Sequence, residues 1–325
     1  MISRVLILIS LVCLVQAWTD KEMEDFKGFM NKYRLHYSNE TEEFDHRIKA
    51  FKDNMKVIDD INKGKGHGGQ YGVNKFSAMT PEEFKQMLLP TTFDPKKHQN
   101  RIPKTKADHH SRHKRQLMPI SFDYRDVGWV TPVKDQGSCD AVFAFVATAI
   151  VESNLLSYKG IFADLSEQSL MDCDVLTFGC QGGWLEYPLD YIRKYGVSSE
   201  TDYPYVGAQS NGTCLNVNKV IYENSDFWFL ESETEVADYV YYHGPVAFYF
   251  GVPSAFQYYT GGVFDVASCD DVVGYHQVTV VGYTPDYWIV KNSWGTDWGD
   301  NGYVYYKRGK NLCWMESELV ASCCA

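Results

Sequence analysis

The sequence predicts an α+β fold, in which a helical front segment precedes a body with one helical lobe and one strand-rich lobe. Residues 20–90 contain a long amphipathic helical repeat, and Phe143 to Leu156 form a second helical run of small and apolar residues. Beyond Tyr222 three segments alternate or run apolar, as strands do: Val246 to Gly251, Gln277 to Gly282 and Tyr287 to Lys291. The 325 residues are enough for such a body and a separate front segment.

The N-terminus has the features of a secretory signal peptide, for which we predict residues 1–17. Arg4 supplies a positive charge, Val5 to Val15 is nearly all apolar, and Val15-Gln16-Ala17 offers a small-residue cleavage site. The alternative is a membrane anchor. A membrane-spanning helix needs ~20 apolar residues, however, and this run is shorter. No later run of the sequence is long or apolar enough for an anchor either.

The cysteines agree with a secretory route. Of the nine, one lies in the predicted signal peptide and eight lie in the C-terminal two-thirds of the chain. An even number of cysteines in an oxidising compartment favours disulfides. Asn39 and Asn211 each begin an acceptor triplet for N-glycosylation, although such triplets are also common by chance. We therefore expect an extracellular or lysosomal protein.

Charge is divided unevenly along the chain. Residues 116–325 hold 10 Lys and Arg against 27 Asp and Glu, a net charge of −17, and the preceding residues hold 21 against 15, a net charge of +6. An acidic body argues against nucleic acid or an anionic membrane as a partner. Opposite charges favour docking of the front segment on the body, whereas the alternative is a solvated basic linker.

One helix of the front segment carries a specific pattern. Six residues are separated by four, four, three, four and four positions, which places them on one helical face. They are Glu43, Arg47, Phe51, Asn54, Ile58 and Asn62. Glu43 and Arg47 are spaced to pair across one turn, and Phe51 and Ile58 supply the apolar stripe. At every position this set resembles the E-R-F-N-I-N signature of cathepsin L-like propeptides.

A second stretch, Gly72 to Ala78, resembles the G-x-N-x-F-x-D sequence of the same propeptides, with Ala78 in place of the aspartate. The resemblance implies that this region takes part in acid-triggered activation, and Ala78 removes the titrating carboxylate. The polar linker from Pro90 to Arg115 then holds four of the nine histidines, which titrate there or, alternatively, bind a metal. Its end, Arg112 to Arg115, resembles a furin-type processing site, so we predict a propeptide over 18–115 and a mature body over 116–325.

The body contains a stretch, Gln136 to Phe145, that resembles the Q-G-x-C-G-S-C-W-A-F motif of the papain family of cysteine proteases. Gln136, Gly137, Cys139, Ala144 and Phe145 match it without a gap. The resemblance implies a two-lobe fold, with a helical left lobe, a right lobe like an antiparallel β-barrel, and a cleft between them. It also implies a thiolate nucleophile at a helix N-terminus, and this position is occupied by Val142. Valine has no lone pair with which to attack a carbonyl.

Other parts of the catalytic machinery are present. The segments around His276 and the run Asn292-Ser293-Trp294-Gly295 match the family's histidine and asparagine motifs. The resemblance implies that Asn292 orients the imidazole of His276, that Trp294 shields their hydrogen bond, and that Gln136 donates to the oxyanion. Without a thiolate opposite it, His276 lacks the ion-pair partner that raises the pKa of an imidazole.

Disulfide pairing also follows from the resemblance, which pairs Cys139 with Cys180, Cys173 with Cys214 and Cys269 with Cys313. A disulfide sulfur is not a nucleophile, so Cys139 does not replace the missing thiolate. Cys323 and Cys324 are left over, and they either pair with another chain or stay free.

The substrate cleft departs from the family as well. The resemblance assigns its lining to eight residues: Asp140, Gly182, Gly183, Trp184, Leu185, Tyr249, Gln277 and Glu318. Asp140 replaces a glycine, Tyr249 a small pocket residue, and Gln277 an Ala or Gly. Tyr249 and Glu318 are expected to approach one another closely enough for a hydrogen bond inside a filled pocket.

These departures, added to Val142, favour an inactive papain-family homologue that binds a protein or peptide partner. Its partners are expected among its own propeptide, cystatin-like inhibitors and active relatives, and no cofactor or metal is expected. The alternative is an active cathepsin L-like endopeptidase in which Val142 is an error or a rare variant. A further alternative, a structural matrix protein, rests on analogy alone.

Overall fold

The computed structural model of the protein describes residues 18–38, 41–64, 67–92, 118–208, 213–215, 217, 224–230, 232–315 and 319–324. The predicted signal peptide, both glycosylation acceptors Asn39 and Asn211, the processing residue Arg115 and the pocket residue Glu318 lie outside the described residues. Among the residues that are described, no helix is long and apolar enough to cross a membrane.

Seven α-helices are described. They are α1 (Asp20–Tyr33), α2 (Glu42–Lys63), α3 (Pro81–Lys85), α4 (Val142–Lys159), α5 (Glu167–Cys173), α6 (Glu186–Tyr195) and α7 (Glu233–Tyr242). The helices of the front segment begin at threonines, because Thr19, Thr41 and Thr80 each accept a backbone N–H of the first turn through their side chains. Helix α2 therefore matches the predicted Glu43–Asn62 helix to within one residue at each end.

The strands form one mixed sheet. They are β1 (His67–Tyr71), β2 (Phe122–Asp123), β3 (Asn224–Leu230), β4 (Val246–Pro253), β5 (Tyr259–Val266), β6 (Val272–Tyr283), β7 (Tyr287–Lys291), β8 (Tyr303–Lys307) and β9 (Leu319–Cys324). Their order is β1-β5-β8-β7-β6-β4-β9-β3, with β2 paired to β6. All described pairs are antiparallel except β5 with β8, which is parallel.

The body has two hydrophobic clusters, one for each lobe. In the left lobe the cluster surrounds α4, whose residues from Val142 to Leu155 are all buried. In the right lobe it fills the space between β4, β6, β7 and β8. The α+β fold with a helical and a strand-rich lobe is therefore confirmed, and the cleft lies where the two clusters face one another.

The front segment has a small core of its own and also joins the body. Helices α1 and α2 enclose Phe26, Phe29, Phe44, Ile48 and Phe51. Strand β1, which follows α2, pairs with β5 and so extends the body's sheet by one strand. Sequence pattern does not predict β1, since its Gly-containing sequence has no strand periodicity.

Three disulfides tie the body together, at Cys139–Cys180, Cys173–Cys214 and Cys269–Cys313. These are the pairs that the resemblance implies. The first joins the start of α4 to the loop that forms the left wall of the cleft, so it fixes two sides of the candidate site relative to each other.

Candidate functional site

Val142 is the first residue of α4, and its side chain is completely buried. The N-cap residue, Ala141, offers no side-chain acceptor to the first turn. The helix N-terminus therefore presents the positive end of the helix dipole, an environment that lowers the pKa of a thiol. Valine has no titratable group on which this environment could act.

His276, in β6, has the partners that the motif predicts. Its Nε2 lies 2.8 Å from Oδ1 of Asn292, and the same oxygen accepts the backbone N–H of Ser293 at 2.8 Å. Two contacts of this kind mark that atom as an acceptor, so His276 carries its proton on Nε2. The Trp294 ring stacks on the imidazole at 4.6 Å between ring centres. The structure therefore brings these three residues together as one unit.

The imidazole is neutral at physiological pH. Burial lowers the pKa of His276 from 6.5 to about 4, although the hydrogen bond with Asn292 opposes this effect. Nδ1 has no hydrogen-bond partner among the described residues. His276 therefore presents an unprotonated nitrogen to the cleft, with the tautomer that a general base requires.

Gln136 is buried beside this unit. Its amide nitrogen donates to the carbonyl of Cys139 at 3.0 Å, and its amide oxygen accepts from the hydroxyl of Ser293 at 2.7 Å. One of its two amide hydrogens is thus engaged within the protein. The side chain is held rigidly, and a single N–H is left for an oxyanion.

Asp140 lies two residues before α4 and is 4% exposed. Its Oδ1 has no hydrogen-bond partner among the described residues. Burial raises the pKa of Asp140 from 3.8 to about 8, because an ionised carboxylate is poorly solvated there. The side chain therefore adds bulk to the cleft and, at neutral pH, no charge.

Tyr249 and Gln277 are cross-strand partners on β4 and β6. Both reach across the cleft to the backbone of the left wall. The Tyr249 hydroxyl accepts the N–H of Leu185 at 2.8 Å, and the Gln277 amide donates to the carbonyl of Gly183 at 2.9 Å. The ring of Trp184 lies 6.1 Å from that of Tyr249. The two side chains thus bridge the two sides of the cleft, and Leu185 is a partner of the Tyr249 hydroxyl.

The front segment docks on the body and runs through the cleft. Leu89 donates its N–H to the carbonyl of Tyr275 at 3.0 Å and accepts the N–H of Tyr275 at 2.8 Å. Phe76 and Phe84 meet the ring of Trp294 edge-on, at 5.4 and 5.5 Å. The front segment thus covers Tyr275, which precedes His276 in the chain, and Trp294, whose ring stacks on His276.

Arg47 pairs with two carboxylates of the front segment, the predicted Glu43 and also Glu83. Nη1 of its guanidinium lies 2.7 Å from the Glu83 carboxylate, and Nε lies 3.8 Å from the carboxylate of the exposed Glu43. Nη1 also donates to the carbonyl of Ala78 at 3.2 Å, while Nε has no hydrogen-bond partner among the described residues. Residue 78 thus lies beside the Arg47 guanidinium through its carbonyl group.

A buried charge cluster at the lobe interface was not found by sequence reasoning. Lys134 contacts Glu152 at 2.8 Å and Glu167 at 2.9 Å, and Lys291 donates to Thr131 at 3.0 Å. Burial lowers the pKa of Lys291 from 10.5 to about 8. No spacing in the sequence brings these residues together. Within the described part of the chain, no group of His, Cys, Asp and Glu is arranged to hold a metal ion.

Comparison with known proteins gives the same picture for both parts of the chain. The profile of the papain family cysteine proteases matches residues 118–323, and that of the cathepsin propeptide inhibitor domain matches residues 26–84. Pro-cathepsin H of Bos taurus is 36% identical, over 89% of this chain and 86% of its own length. Papain of Carica papaya is 34% identical, over 90% and 83%. The solved structure of digestive procathepsin L2 from Tenebrio molitor larval midgut is 33% identical, with a TM-score of 0.80 over 93% of this chain and 99% of that one.

Proposed function

The chain belongs to the papain family of cysteine proteases, and we propose that it is a catalytically inactive member that acts by binding a protein or peptide partner. The observation that carries this proposal is Val142 at the first position of α4. The motif from Gln136 to Phe145 aligns this residue with the nucleophile. Loss of a catalytic nucleophile costs a factor of ~10⁶ in rate in a well-studied protease.

The cleft residues support the same proposal. Asp140 places a carboxyl where the family has glycine, and Tyr249 and Gln277 fill the specificity pocket from the right lobe. A single error at Val142 would leave these three positions unchanged. Their joint departure fits a protein in which selection for cleavage has been released.

An active endopeptidase is the alternative, and one observation favours it. His276, Asn292 and Trp294 keep the geometry of a working general base. The same geometry is compatible with a retained scaffold, because the Trp294 ring is also part of the aromatic core that holds the front segment.

The proposal includes a maturation route. We infer a signal peptide over residues 1–17, a propeptide over 18–115 that is cleaved after Arg115, and a secreted or endolysosomal body over 116–325. Asn39 and Asn211 would carry glycans. The propeptide is one binding partner, and cystatin-like inhibitors and active relatives are further candidates, since each presents a segment suited to a papain-type cleft.

An epoxide reagent directed at papain-type thiolates tests the proposal. The processed protein should show no labelled peptide between residues 136 and 145, and its turnover of peptide reporters should equal that of a His276→Ala variant. Val142→Cys is the positive control, and it should be labelled within this segment. Labelling of the unaltered protein there, or turnover that falls on His276→Ala substitution, would show that the protein is an enzyme.

A further inference from the structure

Two consecutive leucines of the front segment, Leu88 and Leu89, lie against opposite walls of the cleft. Leu88 belongs to the hydrophobic cluster of the right lobe and Leu89 to that of the left lobe, and both are buried. Successive side chains of an extended segment point to opposite sides. The pair therefore contacts one lobe with each residue, while the backbone of Leu89 pairs in both directions with that of Tyr275.

Two glycines make room for this pair. A Cβ atom on Gly274 would lie 2.8 Å from Cβ of Leu88 and 2.9 Å from the carbonyl oxygen of Leu89. A Cβ atom on Gly182, whose φ is +93°, would overlap the side chain of Leu89. Each glycine thus leaves space for one leucine side chain, and a larger residue at Gly274 or Gly182 would displace Leu88 or Leu89 respectively.

Asp140 is the polar group beside the position of Leu89. The Cβ position of Gly182 lies 3.2 Å from Oδ2 of Asp140, so the carboxyl borders the space that Leu89 fills. No charged group among the described residues acts on this carboxyl, since burial is the sole cause of its raised pKa. A neutral carboxyl tolerates an aliphatic neighbour, whereas an ionised one buried beneath it would be strongly unfavourable.

The family's usual pocket offers no competing position. Tyr249 fills it, and the bonds of Tyr249 to Leu185 and of Gln277 to Gly183 hold the two walls together there. A ligand of this cleft must therefore obtain its specificity beside that pocket, at the strip of β6 formed by Gly274 and Tyr275.

We propose that the cleft is a binding site for an extended peptide with two consecutive aliphatic residues, which pairs with the Tyr275 backbone and places one side chain on Gly274 and the next on Gly182 and Asp140. This inference rests on the proposed binding function and names the ligand class for it. The front segment is the resident ligand, and a partner of the same chemistry takes its place.

A peptide-binding experiment with the full chain tests the proposal. The receptor is the Leu88→Ser/Leu89→Ser variant, in which the site is vacated, and the probe is a fluorescent peptide with the sequence of residues 84–92. The vacated chain should bind the probe, and the unaltered chain should not. A probe in which both leucines are serine should bind at least about tenfold more weakly, because two buried aliphatic side chains are lost.

Amide hydrogen exchange locates the bound peptide. The N–H of Tyr275 should exchange faster in the vacated chain than in the unaltered one, and the probe should restore its protection. If the double variant does not fold, Leu89→Ala supplies the vacated receptor, since it keeps an apolar side chain of smaller volume. Binding without protection of Tyr275 would place the peptide elsewhere and overturn the proposal.

The role of Asp140 is tested by pH. Probe affinity for the vacated chain should fall at least about tenfold between pH 6 and pH 9, as binding has to keep this carboxyl protonated. Lys291 titrates in the same range from the lobe interface, and Asp140→Asn separates the two groups because it is neutral throughout. A pH-independent affinity in both proteins, or equal binding of the leucine and serine probes by a folded receptor, would refute the site. Neither result bears on catalysis, which the epoxide experiment decides separately.

Discussion

Replacing Asp140 by Asn should stabilise the protein, and the gain should grow with pH. The side chain is 4% exposed and its Oδ1 has no partner among the described residues. Asparagine has the same shape and is neutral at every pH. The protonated Asp140 leaves the same position unsatisfied, so the exchange removes the titration and little else.

The sign follows from the raised pKa. The carboxyl binds its proton up to a pKa of about 8 in the folded protein and has the ordinary value of 3.8 when exposed. Below pH 3.8 both states are protonated, and the residue costs nothing. As the pH rises from there to about 8, the unfolded state releases the proton and the folded state keeps it, so stability falls by about 1.4 kcal/mol per pH unit. By pH 7 the accumulated cost is about 4 kcal/mol.

Thermal unfolding measures this difference. A destabilisation of 1 kcal/mol shifts Tm by roughly 2–4 °C in proteins of 150–250 residues, so Asp140→Asn should raise Tm by roughly 10 °C at pH 7. The gain should be small at pH 4 and should level off above pH 8. Asp126→Asn, which removes an exposed carboxylate of the body, is the matched control and should change little. A Tm difference that is constant with pH would refute the buried neutral carboxyl.

Further predictions follow from the same contacts. The Val142→Cys variant should be alkylated readily by a small reagent yet cleave a dipeptide reporter poorly. Adding Asp140→Gly and Tyr249→Ala to it should raise kcat/KM by more than the sum of their separate effects. Full activity of the Val142→Cys variant alone would contradict the view of a remodelled cleft. Ala78→Asp should stabilise the full chain by about 1.5–3 kcal/mol at pH 7, because it adds a carboxylate at the residue whose carbonyl the Arg47 guanidinium already contacts. Since pairing lowers the pKa of a carboxyl, this gain should vanish on acidification below pH 4, and an equal Tm at pH 7 would exclude the pairing. The isolated propeptide of residues 18–115 should bind the processed body less tightly as salt is raised, because it holds 20 Lys and Arg against 15 Asp and Glu, a charge of +5, and the body carries −17. Affinity that is unchanged by salt would assign docking to apolar contacts alone.

Local sequence pattern predicted those elements whose residues lie close together along the chain. The helical face from Glu43 to Asn62 appears as α2, and Tyr287–Lys291 appears as β7 with the predicted bounds. The His276–Asn292 contact was also expected, because each residue lies in a long family motif and the fold of the family brings the two motifs together.

Contacts that depend on tertiary geometry were beyond the sequence. The bonds of Tyr249 and Gln277 to the left wall join residues more than sixty positions apart. Asp140 is neutral because the folded chain buries it, and no local pattern encodes that burial. Strand β1 forms because β5 offers it an edge, and pairing of this kind overrides a weak local preference.

Strand β1 has a consequence for what happens when the propeptide leaves. It occupies the outer edge of β5, between Tyr259 and Val266, and supplies the hydrogen-bond partners of that edge. Once it departs, a row of backbone N–H and C=O groups faces solvent, and such open edges recruit strands from other molecules. A body that has lost β1 would therefore expose this edge of β5 to strands of other molecules. The front segment thus covers this edge of β5 as well as the cleft.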